Sequence, residues 1–359
     1  MEKLELVKND LLGIEQSEYN KVKRVVIQVN DTCFFKCQMC HIWKNKVKDI
    51  YRDTEFYERF FSDLKKIKGD DTAITLTGGE PLTVPNIYEI VNASIKSGFE
   101  TNINSNGWLL NQENIKKLHN VRLSCMVFSV DGSCPKIHDD IRGMPGSFDR
   151  IISAVEYIKK YTLQMGKEMG TQFTCVISNL NIKDIVSLAE LTNKLKYVDK
   201  LWFQAVSAPF RAEDIVNGKS IENEDYVDWY AHTKYRDLWP KDKKTLTDVF
   251  STLIQLKRKG YKISNSEFHL KTFYHYFINP NIRQKNTDCN VIHDLHIFPP
   301  SGDVFICNRV LKDKPIGNIN NETIDAIWNS NAARSLRTNM IECQQPCHEV
   351  MNCNSIEII

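Results

Sequence analysis

Between residues 22 and 206 the sequence switches repeatedly between two hydrophobic periods, and that alternation restricts the fold more than any single motif does. Short β-rich runs at 22–29, 73–77, 100–104, 122–130, 172–178 and 200–206 read as strands. The segments between them, 54–67, 85–96, 113–118, 147–161 and 182–195, place apolar residues at helical intervals, as in Phe56, Phe60, Leu64 and Ile67. Asp53 or Thr54 can cap the first helix, and Gly98 suits the end of the second. Strands alternating with helices imply an α/β fold whose parallel sheet is built through right-handed crossovers. In such sheets ligands collect at the C-terminal strand ends.

Polar and cysteine-rich motifs stand at those ends. After the first strand comes Cys33-x3-Cys37-x2-Cys40, a spacing that lets one loop hold three thiolates around a [4Fe-4S] cluster and leaves one iron unligated. A zinc knuckle is the other reading, with His41 set too close to Cys40 to be a good fourth ligand. Gly78, Gly79, Glu80 and Pro81 follow the second strand, Ser105 and Asn106 the third, and Ser129, Asp131 and Gly132 the fourth. Gln204, on the sixth strand, can bond a ligand or belong to a polar core network. Glycines allow close backbone approach to a ligand, and a carboxylate can bond an ammonium.

A chain of 359 residues exceeds one typical core, and 42% hydrophobic with 26% charged residues marks it as globular. Its net charge of +2 makes no electrostatic case for nucleic acid or membrane. No apolar run approaches a bilayer span, and the first twenty residues mix Lys, Glu and Asp with Leu, so the expected location is cytoplasmic. There disulfides are disfavoured, and eleven cysteines point to metal. Cys125 and Cys175 lie in apolar runs and read as core; Cys134 is a loop cysteine or a hydrogen-atom donor. The connection 207–288 carries Trp229, Tyr230, Trp239 and Phe268, with a helix at 245–259 through Val249, Leu253 and Leu256, and reads as a bridging helical layer. A hairpin around Gly302-Asp303 and a helix at about 324–337 precede the last cysteines.

The cysteine loop, together with Thr75-Leu76-Thr77-Gly78-Gly79-Glu80-Pro81, resembles the radical S-adenosylmethionine (SAM) superfamily. The resemblance implies an open (β/α)6 partial TIM-like barrel and a [4Fe-4S] cluster on Cys33, Cys37 and Cys40, whose free iron is chelated by SAM. It further implies that the strand end Gly78, Gly79, Glu80 and Pro81 binds the SAM amino group, that Ser129 contacts its polar atoms, and that Arg142 pairs with its carboxylate. The lesser alternative for Arg142 is a surface arginine beside a turn. Ser105, Asn106, Asp131 and Gln204 join this expected cofactor site. At the C-terminus Gly302-x4-Cys307, followed by Cys343-x3-Cys347-x5-Cys353, resembles the SPASM/twitch extension. A full SPASM domain has about seven or more cysteines for two clusters. The five here, Cys289, Cys307, Cys343, Cys347 and Cys353, imply a twitch-type domain with one auxiliary [4Fe-4S] cluster on Cys289, Cys307, Cys343 and Cys347, Cys353 being a substitute or free. Four cysteines also suit zinc.

The implied organisation is an N-terminal extension 1–21, a core 22–215, a helical linker 216–285 and a C-terminal β-hairpin and helix domain 286–359. The implied chemistry starts with a flavodoxin- or ferredoxin-type reductant and cleaves SAM to methionine and a 5′-deoxyadenosyl radical, which takes hydrogen from a substrate. That substrate is a small polar molecule, such as a sugar or alcohol that is oxidised or rearranged, or a ribosomal peptide side chain. A peptide epimerase or crosslinking maturase is the alternative within this chemistry, and a non-catalytic zinc scaffold the alternative outside it.

Overall fold

The structure is a computed structural model that describes residues 21–44, 50–207, 230, 235–280, 290–306 and 315–341. The extension 1–20 and the five cysteines Cys289, Cys307, Cys343, Cys347 and Cys353 lie outside the described residues.

The expected alternation is present. The elements run β1 (Val22–Gln28), α1 (Thr54–Leu64), β2 (Lys68–Thr77), α2 (Ile87–Lys96), β3 (Glu100–Ser105), α3 (Gln112–Asn120) and β4 (Cys125–Ser129). They continue with α4 (Pro135–Arg142), α5 (Ser147–Met165), β5 (Gly170–Ile177), α6 (Ile185–Lys194), β6 (Lys200–Ala205), α7 (Lys243–Arg258) and α8 (Glu267–Ile278). The chain then adds β7 (Asp294–Phe298), β8 (Asp303–Phe305), β9 (Gly317–Asn318), α9 (Ile324–Trp328) and α10 (Asn331–Ile341). Asp53 caps α1 by accepting from the Phe56 N–H at 2.7 Å.

The strands form one sheet in the order β6-β5-β4-β3-β2-β1-β7-β8-β9, with β1 to β6 parallel throughout. Side chains alternate across it. Leu76, Ile103, Phe128, Phe173 and Phe203 are fully buried in the core. The intervening residues Thr75, Asn102, Asn104, Ser129, Thr174 and Gln204 are half-buried on the opposite face. That face is hydroxyl- and amide-rich.

The sheet is open, ending at β6 and β9. Among the described residues the edge of β6 is partly occupied without a further strand: the Leu201 N–H donates to Lys262 O at 2.8 Å, and the Asn265 carboxamide makes both bonds to the backbone of Phe203, at 2.7 and 2.9 Å. An unpaired edge is an aggregation liability, and this segment covers part of it.

Three features go beyond the sequence expectations. The predicted hairpin is β7–β8, yet β7 also pairs in parallel with β1, from Arg24↔Asp294 to Ile27↔Ile297, so the C-terminal region continues the core sheet. The helix expected at 324–337 is two helices, α9 and α10, with Trp328 fully buried at the break and its carbonyl accepting from Arg337 Nη1 at 3.0 Å. Helices α4 and α8 were not expected: α4 has only Ile137 and Ile141 as an apolar face over its eight residues, and α8 buries His269, Leu270, Thr272, Phe273, Tyr276 and Phe277, too wide an arc to mark one face.

Candidate active site

Cys33 and Cys40 are half-buried and Cys37 is buried in the loop after β1. The loop turns on itself where the Cys40 N–H donates to Cys37 O at 3.2 Å. The end of β2 grips this loop, because the Gly79 N–H donates to Asn30 O at 3.1 Å and the Glu80 N–H to Thr32 O at 2.9 Å. A Cβ on residue 79 would lie 2.1 Å from Thr32 O, so only glycine permits the approach.

Glu80 ties three strand ends together. Its Oε1 accepts from Ser105 Oγ at 2.7 Å and from the Leu82 N–H at 3.1 Å, and its Oε2 from the Asn106 N–H at 2.8 Å. Burial pushes its pKa up to about 7 against these three donors. Its carboxylate is thus hydrogen-bonded within the framework on both oxygens. Asn30, which sequence reasoning missed, completes the knot by donating to Glu80 O at 3.0 Å and Thr83 Oγ1 at 2.8 Å. Two buried polar atoms here have no partner, Asn30 Oδ1 and Asn106 Nδ2. Such atoms are costly unless a ligand satisfies them.

At the next strand ends Ser129 is half-buried and Asp131 fully buried. Asp131 Oδ1 accepts from the Val176 N–H at 2.8 Å, and Oδ2 forms an ion pair with Arg142 Nη2 at 2.6 Å. Arg142 Nη1 lies 3.9 Å from Cys37 Sγ. Its guanidinium, expected to meet the SAM carboxylate, is paired with Asp131, and its Nε is buried without a hydrogen-bond partner among the described residues. Gln204 sits on the polar face in register with Val176, away from the cysteine loop in sequence and bonded to no described side chain.

The thiols suit a cationic guest. Burial pushes the Cys33 thiol up to about 12, with the neighbouring Cys37, Glu80 and Cys40 charges adding to it. Burial likewise raises Cys37 and Cys40, and Arg142 works in the opposite direction on both. Thiols placed like this ionise when a metal supplies the charge. Among the described residues no group of three His, Cys, Asp or Glu converges on a single-ion position. A cubane gives each of three thiolates its own iron, so its site does not require the sulfurs to meet at a point. His41 packs its ring 5.6 Å from that of Tyr235, a residue of the segment expected to be a bridging layer. Nothing in the local pattern marked Tyr235 as a neighbour of the cysteine loop.

A radical SAM superfamily domain matches residues 27–192, and an iron-sulfur cluster-binding SPASM domain matches residues 289–354. An AdoMet-dependent heme synthase of Methanosarcina barkeri is 32% identical over 122 residues, 34% of this chain and 33% of that protein. The Fe-coproporphyrin III synthase of the same organism is 29% identical over 208 residues, 56% of this chain and 48% of that protein. The chain therefore spans only a third to a half of the length of these curated relatives. The subtilosin biosynthesis protein AlbA of Bacillus subtilis is 21% identical over 317 residues, covering 88% of this chain and 61% of its own length. Streptococcus suis SuiB, in a crystal structure bound to S-adenosylmethionine, has the same fold, with a TM-score of 0.65 at 16% identity over 94% of this chain and 73% of that one. The two matched domains, in the order and at the positions where the cysteine sets stand, place this chain in the radical SAM superfamily with a C-terminal SPASM-type iron-sulfur domain.

Proposed function

We propose that this chain is a radical SAM enzyme that modifies an uncharged, hydrogen-bonding substrate, a peptide side chain, at the C-terminal end of the sheet. One observation carries the reading: the three-cysteine loop, the Gly78–Pro81 strand end and the amide-rich sheet face stand at one end of β1 to β6. When bound, the cluster and SAM supply a one-electron reductive cleavage to methionine and a 5′-deoxyadenosyl radical, the electron coming from a flavodoxin- or ferredoxin-type donor. Cys33, Cys37 and Cys40 would hold that cluster. Gly78, Gly79 and Pro81 would present backbone to SAM, Ser129 and Asn106 Nδ2 its polar contacts, and Glu80 would keep those elements in place. Cys289, Cys307, Cys343 and Cys347, with Cys353 in reserve, would hold one auxiliary [4Fe-4S] cluster.

The substrate class follows from the face of the sheet. From mid-strand to the C-terminal ends its polar residues include Thr75, Asn102, Asn104, Ser129, Thr174 and Gln204, with Val26, Val127, Val176 and Trp202 between them. Among the described residues Arg24 is a cation of this face held by Asp294 near the opposite end. Amides and hydroxyls bond peptide groups well, whereas the carboxylates of a porphyrin call for cations. The names of AlbA and of SuiB, solved with its precursor peptide SuiA, agree with a peptide. A neutral sugar would also satisfy such a wall. The test is deuterium transfer: a precursor peptide labelled at side-chain carbons should deliver deuterium into 5′-deoxyadenosine. Transfer from a labelled sugar or porphyrin, with none from peptides, would overturn the substrate class.

A further inference from the structure

The cysteine loop turns alternate side chains outward. Phe34, Lys36 and Gln38 are exposed, Phe34 to 36%, while Phe35 and Cys37 between them are buried. On this flank the loop itself is the wall between the thiols and solvent. Electron transfer weakens steeply with distance, so a protein that reduces a cluster on these thiols gains most by docking here.

The flank continues onto neighbouring elements. Gly143 is exposed and so close to the loop that a Cβ on it would sit 2.6 Å from Lys36 O, and the Gln38 N–H donates to Ile141 O at 2.9 Å. A few residues on, in the first turn of α5, the exposed Arg150 lays its guanidinium 4.1 Å from the centre of the Trp108 ring. Trp108 meets Phe35 edge-on at 6.0 Å, and Phe35 meets Phe34 at 5.4 Å, so rings and cations link the loop to α5. On the loop's other arm the half-buried Trp43 donates from Nε1 to Cys37 O at 3.4 Å, with the Lys44 ammonium 5.4 Å from its ring centre. Lys36, Lys44 and Arg150 thus stand around an aromatic patch. The anions beside them are Asp140, which accepts from Gln38 Nε2 at 3.3 Å, and Asp149. Exposed aromatic and arginine side chains are the composition of a protein interface, and the brief encounters of electron carriers need little area.

We propose that this flank is the docking surface for the protein that reduces the cluster, an acidic carrier of the flavodoxin type. The cations steer an acidic partner. Phe34 suits the apolar benzenoid edge of a flavin better than the polar backbone around an iron-sulfur cluster. The reduced flavin loses one electron and the cluster gains it; no bond forms or breaks between the two proteins. The proposal rests on the proposed cluster site.

The experiment drives SAM cleavage in full-length, anaerobically reconstituted protein in two ways: with sub-saturating bacterial flavodoxin, kept reduced by its NADPH-dependent reductase, and with dithionite, which needs no docking. Lys36→Glu and Arg150→Glu should each slow the flavodoxin-driven rate about tenfold and leave the dithionite-driven rate within about twofold of wild type. Lys167→Glu, an exposed site past the far end of α5, should change neither. Binding is read separately: flavodoxin added to wild-type protein should protect the backbone amides of 33–44 and 143–150 from hydrogen exchange. Wild-type rates in both variants, an equal loss in Lys167→Glu, protection confined to other segments, or cleavage driven by a ferredoxin and not by flavodoxin would each overturn the proposal. Should Lys36→Glu also slow the dithionite reaction, the Arg150→Glu rates and the protection map decide. No cleavage by dithionite in reconstituted wild-type protein refutes the proposed function; dithionite-driven cleavage with flavodoxin bound elsewhere refutes this inference alone.

Discussion

Alanine at Gly79 tests the packing on which the cysteine loop depends. The new Cβ would lie 2.1 Å from Thr32 O, 2.3 Å from Thr32 C and 2.9 Å from Cys33 N, so the obstacle is backbone and no side chain can swing aside. Thr32 must retreat by more than an ångström before the contact reaches 3.4 Å, the start of ordinary van der Waals distance. Overpacking of this kind costs about 1–3 kcal/mol. If the loop gives way, it forfeits the bonds Gly79 N–H to Asn30 O and Glu80 N–H to Thr32 O. At about 0.5–1.5 kcal/mol each they amount to about 1–3 kcal/mol. Strain and bond loss are alternative outcomes of the same clash, so the penalty is about 1–3 kcal/mol, concentrated next to Cys33. The expected outcome is a folded protein whose loop is displaced and whose N-terminal cluster is lost. Iron per chain after anaerobic reconstitution, read beside the far-UV circular dichroism of the apoprotein, is the assay. Gly146→Ala is the control, since its Cβ would meet nothing within 4 Å and only its left-handed φ of 82° adds strain. If Gly79→Ala binds as much iron as Gly146→Ala and cleaves SAM at the native rate, the close approach of β2 to the loop is not what organises the site.

The other expectations are shorter. Wild-type protein should hold about eight iron atoms per chain and Cys37→Ala about four, with SAM cleavage abolished; native-rate production of 5′-deoxyadenosine by the variant would misassign the cluster. Burial, opposed by Arg24, pushes the Asp294 carboxyl from 3.8 up to about 6, so the native state binds its proton more tightly than the unfolded chain does. Its contribution is present in full below pH 3.8 and is lost as pH rises through 6, about 3 kcal/mol in all. Urea midpoints between pH 4 and 7 should reveal this loss, and Asp294→Asn should remove it; an unaltered slope would show that the pair is not buried as described. Asn104→Leu removes a half-buried amide with no protein hydrogen bond, so it should leave SAM cleavage without substrate intact. A loss of about 1.5 kcal/mol would raise the KM for the peptide about tenfold, and an unchanged KM would remove Asn104 from the substrate wall.

Much of this architecture was written in local pattern. Hydrophobic period distinguishes strand from helix within a few residues, and β1 through β6 accordingly stand where alternation puts them. The cysteine loop was equally legible, because its three thiols share one turn of chain and their spacing is itself the geometry. The networks were not. Glu80 reads as a ligand-facing carboxylate in sequence, but its partners Ser105 and Asn106 are 25 and 26 residues away. Arg142 reads as a cofactor contact or a turn arginine, and its neighbour Cys37 is 105 residues distant. Strand β7 finds β1 across 270 residues, as the Arg24–Asp294 pair shows. Spacing along a chain encodes which side chains share a face or a turn; which buried charges meet is set by strand register and by the requirement that each find a partner once water is gone. The sequence by itself thus determined the order of elements and the thiol loop at the first strand end. Tertiary packing alone decided that Glu80 and Asp131 turn inward and that Arg142 lies beneath Cys37, because only in the folded core are those groups removed from water and forced to satisfy one another.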